Sequence, residues 1–285
     1  MAAKISPLIT TKELLEIKDQ ENLVIVDVRS GKDARERYAN EHLANAIFAD
    51  LDTQLSHIKP NPADGGRHPL PSIANFSKAL GVLGITTSSH VVVYDDKNGA
   101  NAAARLWWML RAIGHSNVQV LDAGLDGARS AGFPLDNAPV SITPASPYPV
   151  HDWQLPITTI EEVEKISTDE NYFIIDVREK FRYDGVSEPI DLVAGHIPGA
   201  HNIPFNSNLD NSGKFLSAEQ LKETYETAIG NRKADNVIVH CGSGVTACHT
   251  ILAMEVAGME IPNLYVGSWS EWSRNEKPIA TSVQD

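Results

Sequence analysis

Cys241 is the residue in this chain best placed to act as a nucleophile. It ends the run Asn236-Val237-Ile238-Val239-His240-Cys241 and is followed by Gly242-Ser243-Gly244-Val245-Thr246-Ala247. The β-formers after the turn-like Ala234-Asp235-Asn236 read as a buried strand. The apolar run 245–257, stopped by Gly258, reads as a helix. The loop between them gathers backbone N–H groups at the positive end of a helix dipole. A thiol in such a setting is drawn toward thiolate, the nucleophilic form. The same N–H groups suit an anion carried on the sulfur.

Three chemistries use a thiolate in such a loop. Phosphate-ester transfer fits the His240-Cys241 pair. It also needs an arginine six residues on to neutralise the phosphoryl oxygens, and position 247 is Ala. Dithiol exchange needs a second cysteine in reach. Cys248 is the only other one, and two helical turns put it about 10 Å away, so it reads as a core residue. The third is transfer of a sulfane sulfur, in which the thiolate attacks a polarised sulfur and becomes a persulfide. That needs neither a second thiol nor a metal, only N–H donors around the terminal sulfur.

Cys241-Gly242-Ser243-Gly244-Val245-Thr246 resembles the active-site loop of the mercaptopyruvate sulfurtransferases within the rhodanese superfamily. The resemblance runs through nearly the whole chain, including Ala104-Arg105-Leu106-Trp107-Trp108, Gly195-His196-Ile197-Pro198-Gly199-Ala200 and Gly267-Ser268-Trp269-Ser270-Glu271-Trp272. Thiosulfate-specific members usually carry basic residues just after the cysteine, where this chain has Gly242 and Ser243. The resemblance implies that Gly242, Ser243, Gly244, Val245 and Thr246 cradle the donor and the persulfide. It implies no cofactor and no metal.

The chain also repeats itself. Leu23-Val24-Ile25-Val26-Asp27-Val28-Arg29 returns as Tyr172-Phe173-Ile174-Ile175-Asp176-Val177-Arg178, and Val91-Val92-Val93-Tyr94-Asp95 as Val237-Ile238-Val239-His240-Cys241. Thr10-Thr11-Lys12-Glu13 and Thr158-Thr159-Ile160-Glu161 both offer a capping box. Strands alternating with helices predict an α/β fold of two rhodanese-like domains, each a parallel sheet with helices on both faces. The expected domains are 1–140 and 156–285, joined by a linker over 141–155 stiffened by Pro144, Pro147 and Pro149. Asp95 stands where Cys241 stands, so the first copy reads as catalytically silent. Asp27, Asp176, His42 and His196 occur in both copies and read as structural. Trp107 and Trp108 read as packing, as do Trp269 and Trp272 near the pocket.

At 285 residues and a net charge of −13, the chain is a poor candidate for binding nucleic acid or an acidic membrane surface. No apolar run reaches the ~18 residues of a membrane span. No signal peptide is visible, and two cysteines without framework spacing point to a reducing, cytoplasmic location. The ten histidines show no metal-ligand spacing.

If mercaptopyruvate is the donor, a pyruvate enolate leaves and must be protonated. A serine–histidine–aspartate relay proposed in the family carries over by motif to Ser243, to His68 in Arg67-His68-Pro69-Leu70-Pro71, and to Asp52, with Asp50 as the alternative. Gly65-Gly66 suggests a flexible loop over a cleft. The family places a carboxylate-binding arginine at Arg182, with Lys180 competing. Many mercaptopyruvate enzymes carry a second arginine after a Glu-Pro pair, but Glu188-Pro189 is followed here by Ile190-Asp191. A lost charge-assisted hydrogen bond costs about 1.5–3 kcal/mol, or roughly ten- to a hundredfold in donor affinity. The leading reading is therefore a sulfurtransferase passing sulfur from mercaptopyruvate, through Cys241, to cyanide, a thiol or a thioredoxin-like protein. Thiosulfate is the alternative donor, and a non-turnover persulfide carrier is the rival from another class.

Overall fold

The computed structural model describes residues 5–282. They form two compact units. One comprises residues 5–57, 71–154 and 210–215; the other comprises 58–70, 155–209 and 216–282. In the first, an all-parallel sheet runs Leu8–Ile9, Val118–Leu121, His90–Tyr94, Leu23–Asp27, Ile47–Phe48. In the second the order is Ile157–Thr158, Asn263–Tyr265, Val237–His240, Phe173–Asp176, Ala200–Asn202. Strand for strand, the two sheets have the same order. Val237–His240 and Phe173–Asp176 are buried along their whole length, as expected for parallel strands covered on both faces.

The residues shared by both copies do structural work. Arg29 clamps Asp27 at 2.6 Å and reaches the Glu41 carbonyl; Arg178 clamps Asp176 at 2.6 Å and reaches the Gly195 carbonyl. His42 stacks on Tyr38 and contacts its carbonyl oxygen through Nδ1, and His196 does the same with Tyr183. Each set ties a strand end to the loop after it. Trp269 and Trp272 are core residues of the second unit, packed with Val163, Ile174 and Ile197. Trp107 and Trp108 are fully buried in the first.

The second capping box lies one residue later than the sequence pattern suggested. Thr10 and Glu13 cap the first helix, but Thr159 and Glu162 cap the second. Thr158 belongs to the preceding strand, and Glu161 and Glu162 both lie at plausible spacing from a threonine, so the pattern alone allowed either register.

Candidate active site

Cys241 follows its strand directly and is 3% exposed. The main chain around it is pinned from one side. Its N–H donates to Ser268 Oγ at 3.2 Å, and that hydroxyl donates to the Tyr265 carbonyl. The Cys241 and Gly242 carbonyls accept from the N–H groups of Trp269 and Ser270. Gly244 has φ +71°, and a Cβ there would collide with the Val266 carbonyl oxygen, so this bend admits only glycine. The helix begins at Ala247 and runs to Val256. Among the described residues, the N–H groups of Gly242, Ser243, Val245 and Thr246 find no acceptor. His240 is fully buried, and burial lowers its pKa, so it is neutral at pH 7 and brings no positive charge to Cys241. Cys248 is buried, its thiol donating to the Gly244 carbonyl at 3.5 Å.

The matching loop of the first unit shows what such a cradle holds. The buried Asp95 carboxylate accepts from the N–H groups of Lys97 and Gly99 through Oδ1, and of Asn101 and Ala103 through Oδ2, at 2.8–3.1 Å. Burial pushes its pKa up against the pull of the bonds from Lys97, Gly99 and Ala103. A carboxyl group thus sits where the second loop carries a sulfur atom.

His68 joins the second unit, although its segment lies inside the first repeat of the sequence. Its Nδ1 lies 2.8 Å from Ser243 Oγ, and Ser243 is 6% exposed. Bonds to residues 270–275 help to hold the segment. Gly65 N–H donates to Glu271, Arg67 N–H to Ser270 Oγ, and the Asn275 amide to the Ala63 carbonyl. Burial raises the pKa of Glu271. Gly66 has φ +84° and lies so close to the Gly267 carbonyl that any Cβ would clash, so glycine is required there for the close approach.

Arg182 also reaches the loop, its Nη2 lying 3.4 Å from where a Cβ on Gly242 would stand. Glu188 engages its Nε and Nη2, and Glu179 its Nη1. Burial works against its charge, and those carboxylates outweigh burial, so its pKa is raised. Lys180 is exposed and paired with Asp184. Sequence reasoning missed a cluster beside Arg182: the fully buried Asp191 carboxylate bridges Arg67, Arg182 and Arg274. The available signal was adjacency, since Arg67 directly precedes His68.

Asp52 lies in the first unit, exposed, in the turn after Ile47–Phe48. Partial burial and the neighbouring Asp50 raise its pKa. Asp50 is engaged locally, its Oδ1 accepting from the N–H groups of Asp52 and Thr53 and from the Thr53 hydroxyl.

Two parallel sheets of identical order, one ending in a cradle filled by a carboxyl group and the other in a matching loop around a cysteine, define a duplicated domain with one thiol centre. Residues 10–131 and 159–275 each match the rhodanese-like domain, and the chain belongs to the rhodanese family. It is 37% identical over 280 residues to a protein of Pseudomonas aeruginosa described as a probable 3-mercaptopyruvate sulfurtransferase, covering 96% of this chain and 98% of that one. It is 38% identical over 277 residues to a putative thiosulfate sulfurtransferase of Mycobacterium tuberculosis, covering 96% of each. The solved 3-mercaptopyruvate sulfurtransferase from Leishmania major superposes with a TM-score of 0.81 at 33% identity, over 95% of this chain and 76% of that one. The chain is a sulfurtransferase. No helix among the described residues is long and apolar enough to cross a membrane.

Proposed function

We propose that the protein transfers sulfur from 3-mercaptopyruvate through a Cys241 persulfide. The thiolate attacks the donor sulfur, the sulfur–carbon bond breaks, and its electron pair leaves as the pyruvate enolate. The donor thiol's proton must end on the methylene carbon, so a group that takes and returns a proton speeds the step. The contact of 2.8 Å between Ser243 Oγ and His68 Nδ1 supports this reading, because release of sulfite from thiosulfate needs no such proton transfer. Asp52 is the proposed third member, since Asp50 already organises its own turn. Arg182 is the proposed partner of the donor carboxylate. The persulfide then passes its outer sulfur to cyanide, a small thiol or a thioredoxin-like protein. We place the enzyme in the cytoplasm, consistent with two cysteines held as thiols.

Thiosulfate is the second reading, favoured by the uncharged Ile190 after Glu188-Pro189 and by the mycobacterial relative. Intact-mass measurement after exposure to each donor tests both. A gain of one sulfur, mapped to Cys241 and absent in Cys241→Ser, is the expected result. Ser243→Ala and His68→Ala are expected to lower kcat/KM for mercaptopyruvate by about 100-fold or more and to change the thiosulfate rate little. Equal effects on both donors, or a much larger wild-type kcat/KM with thiosulfate, would reverse the donor assignment.

A further inference from the structure

We propose that the second unit carries a binding site for a small organic amine, held as its ammonium in a cavity bounded by Glu271, Glu161 and Tyr265. The site is separate from the thiol centre and does not depend on the donor assignment.

The cavity measures about 370 Å³, and all its lining residues belong to the second unit. That is the size of a small-molecule pocket, and its lining is of the usual kind, largely apolar with a few polar groups. Pro69, Leu70, Ile157, Ile160 and Val266 supply the apolar walls. Neither Cys241 nor Ser243, His68 or Arg182 lines it. It does share walls with the nucleophile loop, because Val266 packs on Gly244 and Gly267 on Gly66.

Two observations select the ligand. The first is charge. Glu161 and Glu271 are the charged lining residues, and among the described residues no lysine, arginine or histidine lines the cavity. Lys165 and Lys277 act on Glu161 from outside the lining, and Lys277 is paired with Glu164 at 2.6 Å. Glu271 is fixed by the Gly65 N–H, which donates to its Oε1 at 2.9 Å. Burial raises the Glu271 pKa, with Glu161 and Asp64 adding to the shift, so a cation beside it would restore its charge. The second observation is an unpaired hydroxyl. Tyr265 is 1% exposed, and its oxygen faces Glu271 without a hydrogen bond of ordinary length to any described residue. A buried hydroxyl in that state gains from any ligand that reaches it. An ammonium has three donors and no acceptor, which matches two carboxyl groups and a phenolic oxygen. The apolar walls then take the hydrocarbon of the amine.

The test is calorimetric titration of the whole chain with phenethylamine and with its neutral analogue 2-phenylethanol. Phenethylamine is expected to bind saturably at one site, at least about tenfold more tightly than the alcohol. Glu271→Gln keeps an oxygen for the Gly65 N–H while removing the charge, and should weaken the amine about ten- to a hundredfold. Ile160→Trp, at a partly exposed wall position, should abolish binding by filling the cavity. Cys241→Ser should bind the amine as the wild type does. The proposal is overturned if 2-phenylethanol binds as tightly as phenethylamine, or if either folded cavity variant keeps wild-type affinity. Absence of saturable binding by both phenethylamine and butylamine would overturn it as well. Loss of binding in Cys241→Ser would move the amine to the thiol centre and end the case for a separate site.

Discussion

Glu188 and Asp176 are buried carboxylates of the second unit that each face an arginine. Burial alone would raise both carboxyl pKa values, but the arginines beside them outweigh it and both are lowered. At these two sites the folded protein therefore binds fewer protons than the unfolded chain. The resulting stability is present above the ordinary carboxylate range of about pH 4 and is lost as pH falls through the lowered values. The thermal midpoint should drop steeply below about pH 4, and Glu188→Gln should flatten that drop while lowering the midpoint at pH 7. A variant with an unchanged acid limb would show that this pair is not coupled to folding. Residue identity was legible in the sequence where neighbours along the chain do the work, as at Cys241 and its loop. It was not legible where three distant arginines meet one aspartate. Asp191 figures in the sequence only as the residue that follows Glu188-Pro189-Ile190, and the packing of Arg67, Arg182 and Arg274 around it makes it a buried hub.

The strand–loop–helix element at 237–256 owes its shape to small residues more than to bonds. Gly244 occupies a left-handed conformation against the Val266 carbonyl, so Gly244→Ala combines backbone strain of about 1–3 kcal/mol with a displaced loop. That variant should melt earlier and lose sulfur loading together. Loss of loading at an unchanged melting point would mean that the strain is absorbed within the loop. Periodicity predicted these elements because their apolar runs are continuous. It misplaced the second capping box, because Thr158 and Thr159 are followed by Glu161 and Glu162, and only strand pairing decides which threonine is free to cap. The Gly65-Gly66 pair carries a second requirement that the sequence did not show: positive φ at both residues and a close approach of Gly66 to the Gly267 carbonyl.

At the scale of the molecule, the duplication was the most readable feature, since equivalent strands recur at nearly constant offset and fold in the same order. What the repeat hid was that residues 58–70 pack with the second unit. No composition shift marks that exchange. The first copy holds its loop with Asp95, whose carboxyl group gathers four N–H groups, those of Gly99 and Ala103 buried. Removing it leaves buried donors without partners, at about 1–3 kcal/mol for each group left unsatisfied. Asp95→Ala should therefore cost stability on the order of 3 kcal/mol or more, while sulfur transfer by the folded fraction stays near wild type. A collapse of activity in protein that remains folded would give the first copy a direct part in the reaction.

Asp95 also makes the two loops differ in time. One carries its own permanent acceptor, the Asp95 carboxyl group, so the amide protons of Lys97, Gly99, Asn101 and Ala103 should exchange slowly with solvent whatever the enzyme is doing. The other must wait for a guest. Amide protons of Ser243 and Val245 should exchange quickly in the resting enzyme and slowly once sulfur is loaded on Cys241. Deuterium uptake at those two positions would then report the catalytic cycle, with the first loop as an internal clock that never changes.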